Sequence, residues 1–552
     1  MDSKPRGFGT RVIPLGEIEV LEAEHLEKIW ETSDGRALFY KPVQVPDGFH
    51  ALGCHARRTE VPDSLLLLVR GSGVTAGASK PAPLAPPVDY SLVWKSPVRN
   101  ENETAMAFWL PLPPAGYKAL GFVASVTKPG VDEVACVRED LTSDATISNS
   151  ILASSSSSVS SSSSSVFTGL FQSLWSRLLM SSSSVADNNT VESFYVWQTR
   201  PREVGVTAKG LSTGTFYCSS SSSSPLPSIA TLQNVSFDLP SSMPSLQQLD
   251  ALVKRYAPIM FLHPDEDFFP CSVEWFFQNG ALLYSKQNPS APVQITANGA
   301  NLPGGETNDG SYWLDLPRDA AAAEKVRRGN LESAITYLHV KPVFGGTFTD
   351  MQFWFYYPFN GPATLKVGLI NVKLGKIGEH VSDWEHLTLR VDNFTGNLSS
   401  VYLGHHSSGT WYQPSDLEFD STTTYRPFVY ASKHGHALYA HPGDNLQGDE
   451  ERGLGIRNDT KRSSFTWDVS KHQLISAAYL GVEEPPWLQF MREWGPKIQY
   501  NSRTELEKVF KFLPKKIRRS IEDIFNRFPN ELSGEEGPTG PKQKNFWTGD
   551  ER

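Results

Sequence analysis

At 552 residues the chain is longer than one hydrophobic core organises, and two to four domains are expected. Its net charge of −9 argues against a general nucleic-acid binder, which would carry a basic field. No apolar run approaches the ~20 residues that cross a bilayer, and the opening Met1 to Gly9 lacks the apolar core of a signal peptide. Four widely spaced cysteines, Cys54, Cys136, Cys218 and Cys271, form no CxxC pair, as expected of reduced structural thiols in a cytoplasmic protein.

The first 225 residues contain a repeat. Pro46-Asp47-Gly48-Phe49-His50-Ala51-Leu52-Gly53 returns 68 residues later as Pro114-Ala115-Gly116-Tyr117-Lys118-Ala119-Leu120-Gly121. A Trp-x-Ser/Thr stands upstream of each copy, at Trp30 and Trp94, and a degenerate third copy runs from Trp197 to Cys218. Short apolar runs between Pro/Gly turns predict strands. Three such units predict a pseudo-threefold β-prism in which each buries its tryptophan against the others. The pattern resembles the membrane-associated β-prism found with multivesicular-body components.

Serine tracts at 154–165, 181–184 and 219–224 interrupt the third copy, and such tracts bury too little apolar surface to order themselves. Within this insert, spanning about 146–190, Phe167, Leu170, Phe171, Leu174 and Leu178 recur at helical spacing. That helix either docks onto the protein or touches a membrane surface.

From 226 to 552 the reading is a β-sandwich with peripheral helices. A helix over 245–256, capped by Ser245, ends before Pro258. The acidic run Phe261 to Pro270 reads as a rigid turn, and Asn301 to Gly310 lacks the residues of a phosphate loop. Strands are predicted over 334–340, 351–359, 384–391, 400–405 and 428–432, with 366–376 ambiguous. Helices are predicted at 502–512 and 515–528, then a polar surface tail over 532–552.

Seven of the thirteen histidines fall between 380 and 441. Strand alternation places Asp383 and Glu385 on one face with Leu387 and Leu389, ~6–7 Å apart. The same alternation would place His434 and His436 on one face of a neighbouring strand. Carboxylates and imidazoles converging in this way predict a divalent-cation site. Without a nearby thiolate, the donor set suits Mg or Ca ahead of Mn or Zn, with water completing the shell. Asp416, Glu418 or Asp420 would orient the histidines. His434 or His436 against Asp383 is alternatively an acid/base pair.

Several runs resemble the plant vacuolar-protein-sorting-associated protein 62 family, whose biochemical function is unknown. They are Pro14 to Val20, Val45 to His50, Asn330 to Ala334, Phe359 to Leu369 and Gly534 to Lys542. The label implies membrane traffic. A second resemblance covers less of the chain. His380-Val381-Ser382-Asp383-Trp384-Glu385-His386 and Ser432-Lys433-His434-Gly435 are similar to the Gly-His-Arg-His-Asp-Trp-Glu and Ser-x-His-Gly signatures of necrosis- and ethylene-inducing peptide-like toxins. Those are β-sandwiches holding a divalent cation in a cleft that engages sphingolipid headgroups. The resemblance puts His380, Asp383, Glu385 and His434 at the metal, with Ser382 and Asn360 departing from the toxin pattern.

The expectation is therefore a mainly β protein, with a β-prism-like repeat domain over 1–225 and a β-sandwich over 226–552. Its metal ligands are His380, Asp383, Glu385, His434 and His436, supported by Asn360, Trp384, His386, His405 and His406. Three functions fit: a cytoplasmic protein, peripheral on endomembranes, that recognises lipid headgroups or glycans; a metal-dependent hydrolase or lyase; or a structural trafficking adaptor. Partners would be a membrane surface or trafficking proteins, with no nucleic acid.

Overall fold

The computed structural model describes residues 7–58, 65–73, 80–96, 104–154, 194–219, 229–236, 240–305, 307–406, 408–422, 425–449, 451, 453–497 and 538–551. The helices expected at 167–180, 502–512 and 515–528, and most of the serine tracts, lie outside the described residues. The chain is mainly β and divides into two compact units. One comprises Leu15–Glu203 and Gly210–Val235, the other Met1–Pro14, Val204–Lys209 and Ser236–Arg552.

In the first unit each sequence copy supplies an antiparallel two-strand ribbon. These are Leu26–Glu31 with Ala37–Pro42, Asp89–Lys95 with Ala107–Leu112, and Phe194–Pro201 with Phe216–Ser219. One phenylalanine from the second strand of each ribbon enters a shared core. Phe39, Phe108 and Phe216 are fully buried, with centroids 5.0, 5.3 and 5.2 Å apart around the triangle. Small ribbons cannot bury an apolar face alone, so the three copies close over these rings.

The tryptophans expected at this centre are arranged less evenly. Trp30 and Trp94 meet at 5.8 Å and Trp94 packs on Phe194 at 4.0 Å, whereas Trp197 stacks between Tyr195 and Tyr217. Three phenyl rings close a triangle in less volume than three indoles would need. All four cysteines are free and buried, and burial pushes the Cys54 thiol up to about 11.

The second unit is built on two thirteen-residue strands, Phe348–Asn360 and His380–Asp392, which pair antiparallel from Phe348↔Asp392 to Asn360↔His380. They form the middle of a six-stranded sheet. Its order is Ser408–Tyr412, Leu398–His405, His380–Asp392, Phe348–Asn360, Thr336–Val343 and His472–Ser476. A four-stranded sheet contains Ile259–Phe261, Phe428–Ala431, Leu438–Tyr439 and Thr466–Asp468. Phe353, Phe355, Leu387 and Leu389 of the first sheet share one apolar core with Met260, Val429, Ala431, Leu438 and Trp467 from or beside the second. The helix Leu246–Tyr256 adds Leu249, Leu252 and Val253, and Ser245 and Gln248 close its predicted N-terminus as a capping box.

The ambiguous stretch after 363 is a hairpin, Thr364–Val367 with Ile370–Lys373. It extends a small sheet with Leu454–Thr460 and Gly443–Asp449. The tail expected to lie polar on the surface is instead partly buried. Trp547 stacks on His339 at 3.8 Å, Phe546 lies 4.9 Å from His386, and Glu551 accepts from Gln352 and Thr388 at 2.7 Å each. Two aromatic side chains in an otherwise polar segment are enough to anchor it, because the sheet face beneath carries Trp354, Tyr402 and His386.

Candidate functional site

The predicted alternation holds along His380–Asp392. Asp383 and Glu385 lie on the face that continues into the Leu387 and Leu389 core, while Trp384 packs among Tyr356, Trp487 and Trp494 on the other. At the end of this strand is a cavity of about 180 Å³. His380, Asp383, Trp384 and Glu385 line it, as do Asn360, His406, Lys433 and His434. The hairpin contributes Thr364 and Lys373, the Leu454–Thr460 strand Arg457 and Asn458, and the C-terminal segment Pro538 and Lys544.

His434 and His436 do not alternate on a strand next to Asp383. The strand Phe428–Ala431 ends before them, in the four-stranded sheet, and both histidines sit in a turn with left-handed φ of 66° and 54°. The turn sends the two rings to different places. His434 lines the cavity, with Nε2 3.3 Å from Asp267 Oδ2. His436 is fully buried and stacks on Tyr357 at 3.7 Å. Its Nδ1 lies 2.9 Å from Asp383 Oδ2, and its Nε2 lies 3.2 Å from the Phe268 carbonyl. Both ring nitrogens are thus held by oxygen acceptors inside the protein, which leaves His436 no nitrogen for a substrate in the cavity.

Burial pushes the Asp383 carboxyl up, but the hydrogen bond and charge of His436, with His380 and Lys544, outweigh it and hold the group below its ordinary range. His380 donates Nδ1–H to the Ser382 carbonyl at 2.7 Å. His406 Nε2 pairs with Asn458 Oδ1 at 3.0 Å. Ser382, His406, His434 and His436 are four of the seven described non-glycine residues with left-handed φ. Such conformations cost energy and persist where the surroundings enforce them, often at binding sites.

The acidic turn read as structural supplies the brace. Glu266 Oε1 accepts the backbone N–H groups of Asp267 and Phe268, while Oε2 accepts that of His434 at 2.8 Å. Gly361 completes the contact by donating its N–H to the His434 carbonyl at 3.0 Å. A Cβ at Gly361 would stand 2.5 Å from Phe268 Cε2 and 2.9 Å from His434 Cγ. The juxtaposition of these chain segments, which are far apart in sequence, had no signal beyond the density of acids between two prolines.

Other expected residues lie elsewhere. His386 is buried on the opposite face, stacked on Trp354 at 4.6 Å, and burial with Lys341 and Lys544 nearby lowers its pKa to about 3. His405 stacks on Tyr439 and contacts Thr410. Glu418 accepts from Tyr430 and faces His441 at 3.4 Å.

Among the described residues, the set of three acidic or imidazole donors within 4.8 Å of one another is Asp350, Asp550 and Glu551. Protein cations already occupy that set. Arg390 donates to both oxygens of Asp350 and to Asp550, and Lys341 lies 3.5 Å from Glu551. Asp383, Glu385 and His380 share the cavity lining without forming such a set.

Fold and cavity define a mainly β protein of two units, with a pocket lined by histidine, carboxylate and lysine side chains. The chain belongs to the vacuolar protein sorting-associated protein 62 family, whose profile matches residues 2–169 and 172–551. Two Saccharomyces cerevisiae relatives carry vacuolar protein sorting-associated designations. TDA6 is 24% identical over 349 residues, covering 55% of this chain and 71% of its own length. Vacuolar protein sorting-associated protein 62 is 25% identical over 218 residues, 35% of this chain and 40% of its own.

Among solved structures, GNIP1Aa from Chromobacterium piscinae aligns over 44% of this chain and 41% of its own, with 16% identity and a TM-score of 0.28. NLPPya in complex with glucosamine aligns over 41% and 79%, with 15% identity and a TM-score of 0.20. Likenesses at these scores do not bear on the site.

Proposed function

We propose that this protein recognises an oxygen-rich polar ligand, of the lipid-headgroup or glycan class, in the cavity beside His380–Asp392. A divalent cation held by Asp383 and Glu385 and completed by water would bind ligand oxygens, with Mg or Ca favoured by the donor chemistry. The observation that carries the reading is the meeting of Asp383, Glu385, His380 and His434 on one cavity, from a strand and a turn in different sheets.

The setting we propose is peripheral, on the cytoplasmic face of an endomembrane, in keeping with the family's description. Two further features support it. No helix of the described residues is long and apolar enough to cross a membrane. Leu369 is fully exposed and Ile370 is 58% exposed at the turn of the hairpin whose Thr364 and Lys373 line the cavity. An apolar point beside a headgroup pocket suits an interfacial protein.

Calorimetric titration of the full chain with Ca²⁺ and Mg²⁺ tests the reading, together with flotation on vesicles. Glu385→Ala should abolish metal uptake and weaken vesicle binding while thermal unfolding stays cooperative. Absence of uptake by the native chain up to millimolar metal would sink the cation reading.

A further inference from the structure

The six-stranded sheet ends at His472–Ser476, which pairs in parallel with Thr336–Val343. The register sets Thr336 opposite His472 and Leu338 opposite Leu474, and the Thr336 N–H donates to the Lys471 carbonyl at 3.1 Å. In a parallel ladder a residue bonds to the two neighbours of the one it faces, so alternate residues turn their backbone groups to opposite sides. Gln473 therefore directs its N–H and C=O at Thr336–Val343, while those of His472 and Leu474 point off the sheet. Among the described residues nothing pairs with them. Prolines and bulges are the usual devices that close such an edge. His472 to Leu474 contain no proline, and the register shift falls only after Leu474.

Beside this edge is a second cavity, of about 320 Å³, which shares no lining residue with the one at His380–Asp392. Gln473 and Tyr337 line it from the two paired strands, whereas Leu474 packs on the opposite face, against the core shared with the second sheet. Ile335, Pro485 and Trp487 complete its apolar walls. Two charged side chains also line it. Glu274, exposed on the short helix Val273–Gln278, accepts from Gln278 Nε2 at 3.0 Å and meets no cation among the described residues. Lys471 donates to the Glu332 carbonyl at 3.3 Å and has no carboxylate partner among the described residues.

We infer that this edge and its cavity form a docking site for an extended peptide of a partner protein. One basic side chain of the peptide enters the cavity against Glu274, and an acidic side chain two positions away faces Lys471. A strand added at ~4.8 Å pairs its backbone with His472 and Leu474, and its side chains on the Gln473 face stand ~5 Å from Gln473. Lysine or arginine suits the cavity because the apolar stem lies along Ile335 and Pro485 while the charged head reaches the carboxylate. Lys471 and Gln473 are two residues apart, and that spacing sets the separation of the two charges on the peptide. Backbone pairing of this kind supplies affinity and the pocket supplies selectivity. A chain of net charge −9 also favours a partner segment with a basic residue.

The test probes a random hexapeptide array with the full chain and measures the best binder by fluorescence anisotropy. Binders should carry lysine or arginine and an acidic residue separated by one position. N-methylation of the peptide amides that face the edge should weaken binding by about tenfold or more, whereas methylation of the intervening amides should change it little. Glu274→Gln should cost about fivefold with thermal unfolding unchanged. Glu274→Lys should instead prefer the peptide in which glutamate replaces the basic residue, a gain that misfolding cannot mimic. Hydrogen exchange over 471–476 should slow when peptide is bound.

No binder up to millimolar concentration, binders without a basic preference, or equal tolerance of methylation at every amide overturns the inference. So does exchange that slows elsewhere but not at 471–476. Self-association that protects 471–476 in the absence of peptide, with no peptide bound, also overturns it and gives the edge to a second copy of this chain.

Discussion

The Nδ1 atom of His436 lies 2.9 Å from Asp383 Oδ2, fifty-three positions away in sequence, and the imidazole is clamped flat on Tyr357 at 3.7 Å. The pair is buried and joins the two sheets of the larger unit. His436→Gln should therefore cost about 3–5 kcal/mol in urea denaturation, since it leaves a buried carboxylate without its partner. A loss below about 1 kcal/mol would show that the pair is not formed in solution.

Two glycines at the cavity separate architecture from ligand access. Gly361→Ala drives a methyl into Phe268 and the His434 ring and should destabilise the protein by about 1–3 kcal/mol. At Gly435 an added methyl would meet His406, Asn458 and Asn360 at 3.7–4.0 Å, which is ordinary contact. Gly435→Ala should leave the melting temperature nearly unchanged while lowering ligand affinity. Melting curves and vesicle flotation on both variants check the contrast, and equal effects on stability would contradict it.

The C-terminal segment depends on one lysine. Lys341 is 1% exposed at its side chain, donates to the carbonyls of Phe546 and Gly549 at 2.6 and 2.9 Å, and lies 3.5 Å from Glu551. Lys341→Met removes all three partners at once and leaves a buried carboxyl behind, at a cost of about 3–5 kcal/mol. Limited proteolysis should then cut within 538–551 much faster than in the native chain. Unchanged protection would mean that the aromatic contacts of Phe546 and Trp547 suffice.

Acid should loosen the same region. Burial first, and Lys341 second, lower the His339 pKa from 6.5 to about 3. The unfolded chain thus takes up a proton near pH 6.5 that the folded chain accepts only near 3. Stability must fall as pH drops through that window, by about 3–5 kcal/mol for this group. His339→Phe keeps an aromatic ring against Trp547 and should flatten the slope between pH 6.5 and 4, as read by denaturant titration. An unchanged slope would place the acid sensitivity elsewhere.

Much of the site was legible before any coordinates. Period-two alternation fixed the common face of Asp383, Glu385, Leu387 and Leu389, because successive side chains of a strand point to opposite faces of the sheet. The capped helix at Ser245 was equally local, since its hydrogen bonds close within four residues. The clustering of histidines between 380 and 441 marked the right neighbourhood.

The turn at 432–436 was not legible. Whether His434 and His436 share a face or part company depends on two left-handed residues that tertiary contacts hold in place, Glu266 among them. The buried tail was hidden for a similar reason, as Glu551 finds Gln352 at a separation of 199 residues.

By itself, then, the sequence determined where strands run, which side chains share their faces and how acidic the whole chain is. These follow from local geometry and from counting. Only the tertiary structure decided that His434 opens onto the cavity while His436 turns inward, and that lysines from three segments gather around one pocket. Such pairings join positions tens to hundreds of residues apart. They are selected by the burial of a shared core, which no local pattern records.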